Sequence, residues 1–177
     1  MRHQRLHARI HHAARRIRLA GKAADSEARM NQSYSWKTIG IPAPQGSKRH
    51  VGGGRMIESC KALKPWREAI IADAKQQNIT GVIDTPVGVS LVFCFPRPKR
   101  HYGKNGTVLA TAPTHKTTRP DLDKLTRGVL DSLVYAGMIA DDSLVYSINA
   151  HKRYCVGEEQ PGVLITVMDT TDLPFRP

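Results

Sequence analysis

Negative charge is the scarcest feature of this sequence. No acidic residue stands between Asp84 and Asp121, and the 177 residues hold 27 Lys+Arg against 15 Asp+Glu, a formal net charge of +12. Such a balance points to a polyanionic partner, nucleic acid first and an acidic membrane surface second. Long apolar runs are missing too. None approaches the roughly 18 residues of a membrane-spanning helix, which excludes that class. Cysteine is sparse: Cys60, Cys94 and Cys155 are odd in number and form no CxxC pair. That pattern counts against a disulfide scaffold and a zinc knuckle, and a reducing cytoplasm is the expected setting. There is no internal repeat. What remains, 40% hydrophobic and 24% charged residues, suits one globular domain with a tail.

The positive charge is unevenly placed. Residues 1–30 hold eight Lys+Arg and two acids, together with His3, His7, His11 and His12. Leu6, Ile10, Ala13 and Ile17 recur at near-helical spacing, but large apolar residues are too few to bury much. Three readings compete: a frayed tail preceding a domain that opens near Met30, a basic arm on nucleic acid, and an Arg-rich targeting peptide. Asp25 and Glu27 count against the last, and composition favours the first. We assign residues 1–33 to a basic, disordered extension and 34–172 to the domain. A second concentration of cations, Arg97, Lys99, Arg100, Lys116 and Arg119, supplies candidate DNA contacts within the acid-free stretch. Five carboxylates then follow between Asp121 and Asp142.

The apolar pattern predicts the element order β, α, β, long loop, α, β, β. Ser35–Ile41 reads as a strand stopped by Pro42 and Pro44. The loop at 44–55 is basic and glycine-rich but lacks the G-x4-G-K-[ST] spacing, so a nucleotide P-loop is rejected. Trp66, Ile70 and Ala74 form the stripe of a helix ending near Gln77, with Pro65 early in it. Pro86–Phe95 alternates at period two, as a strand does. Residues 96–120 carry four prolines and no periodicity, which marks a functional or disordered loop. Asp121–Tyr135 is the clearest helix, with Leu122, Leu125, Val129 and Leu133 on one face and Gly137 past its end. Leu144–Tyr154 and Gly162–Met168 complete an α+β domain: a mixed sheet of about four strands with two main helices packed on one face.

Asp121 and Asp123 flank an apolar residue where the long helix begins. In an extended or entering conformation, i and i+2 side chains share a direction and both carboxylates face one point. Asp141 and Asp142 precede a strand that would return to the helix start if it packs alongside. Clustered carboxylates repel, and a divalent cation relieves the repulsion; hard oxygen ligands select Mg²⁺ or Mn²⁺. Such a cation polarises a phosphoryl oxygen and acidifies an attacking water, while Lys124 or Arg127 can stabilise developing phosphate charge. Simpler roles compete. Asp at a helix start caps it, Asp131 is an i, i+4 partner for Arg127, and one of Asp141 and Asp142 is a turn residue. Spacing alone leaves a metal-dependent nuclease and a non-catalytic nucleic-acid binder both open.

The segments RPDLDKLTRGVLDSL (119–133) and GMIADDSLV (137–145) resemble the signature of the RusA family of Holliday junction resolvases, many of them phage or prophage encoded. GIPAPQGSKR (40–49), GGGR (52–55), Ser59 and PWRE (65–68) resemble the family's first strand, basic loop and first helix, more loosely. The likeness spans roughly residues 36–170. It implies a RusA-like fold and a Mg²⁺-dependent endodeoxyribonuclease that resolves four-way junctions by paired symmetric nicks. It implies Asp121, Asp123 and Asp142 as catalytic, metal-binding aspartates and Arg127 at the basic catalytic position, where the best-known member has Lys. Asp141 becomes the companion acid and Lys124 an accessory cation. Lys48, Arg49 and Arg55 fall in a loop placed to touch DNA. The implied partners are branched DNA and a second copy of the chain, since a C₂ dimer offers one site per nick. No nucleotide cofactor and no membrane are implied, and the location is the cytoplasm of a bacterial or phage-infected cell. The rival is a non-catalytic DNA-binding protein with a degenerate fold of this kind. The extension at 1–30 and the length of loop 96–120 depart from compact members.

Overall fold

The computed structural model describes residues 32–46, 48–50, 56–58, 60–79 and 81–169, with 48–50 and 56–58 described as backbone. Apart from Gln32 and Ser33, the extension assigned to 1–33 lies outside the described residues. The elements follow the predicted order: β1 (Ser33–Ile39), β2 (Lys48–His50), β3 (Met56–Glu58), α1 (Leu63–Lys75), β4 (Val87–Phe95), α2 (Leu122–Tyr135), β5 (Val145–Tyr154) and β6 (Gly162–Asp169). The sequence pattern does not predict the short antiparallel pair β2–β3, whose first strand falls in the loop at 44–55 and whose second follows it. The main sheet runs β1-β6-β4-β5, with β1–β6 and β6–β4 antiparallel and β4–β5 parallel.

Register explains the core. Trp36, Ile165 and Leu91 lie opposite one another across three strands, as do Thr38, Val163 and Phe93. All six are buried, and they form the inner face. Lys37, Leu164 and Val92 occupy the alternate, outer row. Because β4 is central, its Val87, Val89, Leu91 and Phe93 are buried under both helices and neighbouring strands. The helix α1 buries Leu63, Trp66, Ile70 and Ala74 at spacings of three and four, and packs over β1. Its Pro65 sits in the first turn, where the missing N–H costs no intrahelical bond. The helix α2 buries Leu125, Val129 and Leu133 and packs over β5 and against α1. Gly137, at φ 74, closes it in the left-handed conformation that glycine adopts without strain.

The long segment 96–120 is ordered along the edge of β5. Tyr154 N donates to Thr114 O at 3.0 Å and Lys116 N to Lys152 O at 3.2 Å, so residues 114–116 pair with that edge. A single 3-10 turn at Lys99–His101 and a bridge between Tyr102 and Val108 shape its outer part. Arg97 folds inward, donating to Pro113 O at 2.9 Å with its guanidinium 5.3 Å from the Tyr154 ring centroid. His101 meets the same ring edge-on at 5.0 Å, and burial, then Arg97 and Arg100, lowers its pKa. The segment's length is thus matched by backbone pairing that composition does not reveal.

Candidate active site

The start of α2 is the hinge of the site. Asp121 is its N-cap, with extended backbone at φ −73 and ψ 141, and Leu125 N donates to its carbonyl at 3.2 Å. The chain becomes helical at Leu122, and each helical residue turns the side chain about 100°. Asp121 and Asp123 therefore diverge instead of sharing a direction. Asp121 joins the face of Lys124, three residues on, whose Nζ lies 2.9 Å from its carboxylate. That bond, with further help from Arg119 and Lys152, holds the Asp121 carboxyl below its usual range despite opposing desolvation. A depression of about 720 Å³ opens here between Arg119, Pro120, Asp121 and Lys124 on one side and Ile41, Pro42 and Phe95 on the other.

Asp123 joins Arg127, one turn on, on a different face. Both line a second depression of about 550 Å³ together with Asp142, over apolar side chains of Leu122, Leu130, Ile148 and Ala150. The expectation that one acid of the Asp141–Asp142 pair returns to the helix start is met by Asp142. Its position has a local and a long-range cause. Ile83 N donates to Met138 O at 3.0 Å and Ala140 N to Ile83 O at 2.9 Å, which anchors the return segment beside the start of β4. Asp141 then accepts from Ser143 N at 2.9 Å, capping the 3-10 turn Asp142–Leu144. That bond lowers the Asp141 pKa and identifies Asp141 as the turn residue. Asp142 is left exposed on the rim of the depression.

The predicted acids are thus divided: Asp123 and Asp142 with Arg127 at one depression, Asp121 with Lys124 at the adjoining one. Among the described residues, no three His, Cys, Asp or Glu side chains stand close enough to hold a metal together. The donor chemistry still fits a hydrated divalent cation. Mg²⁺ is commonly held by one or two carboxylates with waters completing its shell. Among the described residues neither Asp123 nor Asp142 is in an ion pair, whereas Asp121 already has one. Asp131 departs from expectation: it faces Arg67 of α1 at 3.7 Å, not Arg127. The same Arg67 stacks over Tyr135 at 4.8 Å, so this acid ties the two helices together.

The candidate DNA contacts also divide. Lys99, Arg100 and Arg119 are exposed. Arg97 and Lys116 turn their charged ends inward, on carbonyl oxygens of their own loop. Lys48 and Arg49 stand on β2, and Arg55 lies outside the described residues. One cation escaped the sequence reading. Lys152 occupies the inner row of β5 beside Ile148, Ala150 and Tyr154, and its Nζ reaches Thr118 O at 2.8 Å and Pro120 O at 2.5 Å. The available signal was its parity with apolar neighbours in the strand.

Comparison with protein families finds a match over residues 40–168 to the family described as Endodeoxyribonuclease RusA. The matched region runs from the end of β1 to the end of β6 and contains both depressions. Comparison with curated proteins finds no match. Among the described residues no helix is long and apolar enough to cross a membrane.

Proposed function

The chain belongs to the RusA family of endodeoxyribonucleases, and from that premise we propose that it cuts four-way DNA junctions with Mg²⁺, using Asp123 and Asp142 as metal-holding acids, the adjoining Asp121 as the third acid of the site and Arg127 as the catalytic cation. The family acts on branched DNA and is metal-dependent. The observation that carries the assignment is the shared depression of Asp123, Asp142 and Arg127, assembled from a helix start and a strand start 19 residues apart.

A divalent cation bound by these carboxylates would polarise a phosphoryl oxygen and acidify a water beside it. The chain's own residues do the rest. Arg127 offers a fixed positive charge to the phosphate as negative charge develops on it. The apolar floor of Leu130, Ile148 and Ala150 limits water beneath the reacting group and strengthens that attraction. Asp121, adjoining on the helix face of Lys124, completes the acid set, with Mn²⁺ an acceptable substitute for Mg²⁺. Asp141 positions Asp142 through the turn it caps. Lys99, Arg100 and Arg119, with Lys48, Arg49 and Arg55 of the basic loop, contact phosphates and recognise branched shape more than sequence. A homodimer then supplies one site for each of two symmetric nicks. Scattered free thiols suit a reducing cytoplasm.

A labelled synthetic four-way junction, incubated with and without Mg²⁺, tests this reading. Wild-type protein should give paired nicks only with metal. Asp123→Asn and Asp142→Asn should bind the junction and leave it uncut. Binding without metal-dependent cleavage by the wild type would favour the non-catalytic alternative, and normal cutting by either variant would remove the assigned roles.

A further inference from the structure

Lys152 is a charged side chain in the inner row of β5, alongside Ala150 and the buried Tyr154, and a lysine in such a row ordinarily extends its amine to solvent. Here the amine bonds two carbonyls of the segment leading into α2, Thr118 O at 2.8 Å and Pro120 O at 2.5 Å. Lys116 grips the same segment from its other side, with Nζ 2.7 Å from Thr118 Oγ1, 3.3 Å from Thr118 O and 2.5 Å from Arg119 O. The two lysines are joined through their backbones, Lys116 N donating to Lys152 O. Among the described residues neither ammonium is in an ion pair with a carboxylate. The Lys116 ammonium also lies 5.1 Å from the Phe95 ring centroid. Five side-chain hydrogen bonds therefore converge on three consecutive residues, and the next residue is Asp121.

We propose that Lys152 and Lys116 form a clamp on Thr118–Pro120 that positions Asp121 for cleavage, which makes both lysines positioning residues and neither a phosphate contact. The inference rests on the nuclease reading above for its functional half. A lysine serving phosphate presents free N–H groups; Lys116 commits all three of its own to Thr118 and Arg119, and Lys152 commits two of three to Thr118 and Pro120. The segment they hold enters α2 directly, so loosening it lets the N-cap residue and the first turn drift together. The first turn is also tied to the body by the buried Leu125 and through Gln45 N, which donates to Lys124 O at 3.0 Å. That bond fixes the helix but not the approach to it.

The test compares full-length wild type with Lys152→Met, Lys152→Arg and Lys116→Met. Three quantities are read: kcat for junction cleavage, junction Kd in EDTA, and amide exchange at Leu125, whose N–H caps onto Asp121 O. Removing a group that orients an acid of a metal site commonly costs about 10- to 100-fold in activity, so kcat should fall by that factor while Kd changes by no more than about twofold. Exchange at Leu125 should accelerate while amides of β4 and β6 stay protected. Lys152→Arg keeps the charge but not the compact amine, and should recover little of the loss. Full recovery by Arg, or a Kd weakened about tenfold with a salt dependence reduced by about one, would overturn the clamp in favour of a charge or phosphate role. If a lysine variant loses protection throughout, the role is global stability and the proposal fails for that residue. Should wild type not cleave at all, the nuclease reading fails instead, and exchange at Leu125 alone decides whether the clamp exists.

Discussion

Glu159 offers the sharpest test of how this sheet is held together. It lies in the turn between β5 and β6, and its side chain is 23% exposed. One carboxylate accepts from both terminal nitrogens of Arg153, at 2.5 and 2.9 Å, from Lys37 Nζ at 3.2 Å, from Val156 N at 3.3 Å and from the Cys94 thiol at 3.4 Å. These donors come from β1, β4, β5 and the turn itself, so one acid links three of the four strands. The Arg153 pair above all, then Lys37, holds the Glu159 carboxyl down at about 2, from an ordinary value of 4.5. Each pKa unit corresponds to about 1.4 kcal/mol, which caps the ionic contribution at roughly 3 kcal/mol; solvent access to both cations reduces it to about 1–3 kcal/mol. A depressed carboxylate pKa contributes stability in full above the unfolded-state value and loses it as pH falls through the folded one. Glu159→Gln should therefore be less stable than wild type by about 1–3 kcal/mol at pH 7 in urea titrations, a Tm lower by roughly 3–10 °C. The difference should narrow below pH 4.5 and vanish near pH 2. A gap that stays constant across that window would show that packing, not ionisation, carries the effect. No gap at pH 7 would refute the linkage altogether.

Other outcomes follow from the same geometry. A Cβ on Gly162 would overlap the Thr38 carbonyl oxygen of the neighbouring strand. Gly162→Ala should cost about 1–3 kcal/mol by denaturant titration, because backbone and not a flexible side chain must move. Leu133→Ala, at a fully buried position of α2, should cost about 2–5 kcal/mol in the same assay. Arg127→Ala should lower kcat for junction cleavage by about 100-fold or more while binding persists, and Arg127→Lys should restore much of it. Equal activity of the alanine variant would place the cation elsewhere.

The fold was legible because its strongest signals are local. Period-two alternation in Val87–Phe95 and the stripe Leu125, Val129, Leu133 each describe a surface that must be buried, and the structure buries them together. The site was legible only in part. Asp123 and Arg127 share a face by helical spacing, but Asp142 joins them through the β5 packing and the Ile83 bridge, neither of which is local. Asp121 was misread because the extended i, i+2 argument stops applying one residue later, where the helix begins. Lys152 was passed over because a reading by charge weighs clusters along the chain, whereas its role depends on strand parity and on a loop 32 residues upstream.

That distinction changes what net charge means for binding. Charge that satisfies carbonyl oxygens inside the fold is not available to release counterions from DNA. Arg97 and Lys116 are of this kind, while Lys99 and Arg100 stand exposed on the 3-10 turn of the same loop. For duplex arms each phosphate neutralised contributes about 0.9 to the slope of log K against log salt. Measured by fluorescence anisotropy with a labelled junction in EDTA, Lys99→Ala with Arg100→Ala should flatten the slope by about two. Arg97→Met and Lys116→Met should leave it unaltered. The four residues lie within 20 positions and carry identical formal charge, so composition predicts equal effects and only their hydrogen bonding separates them. Equal flattening by both sets would mean that the inward cations leave their carbonyl partners to meet DNA, and the clamp on Asp121 would then be open in the bound state.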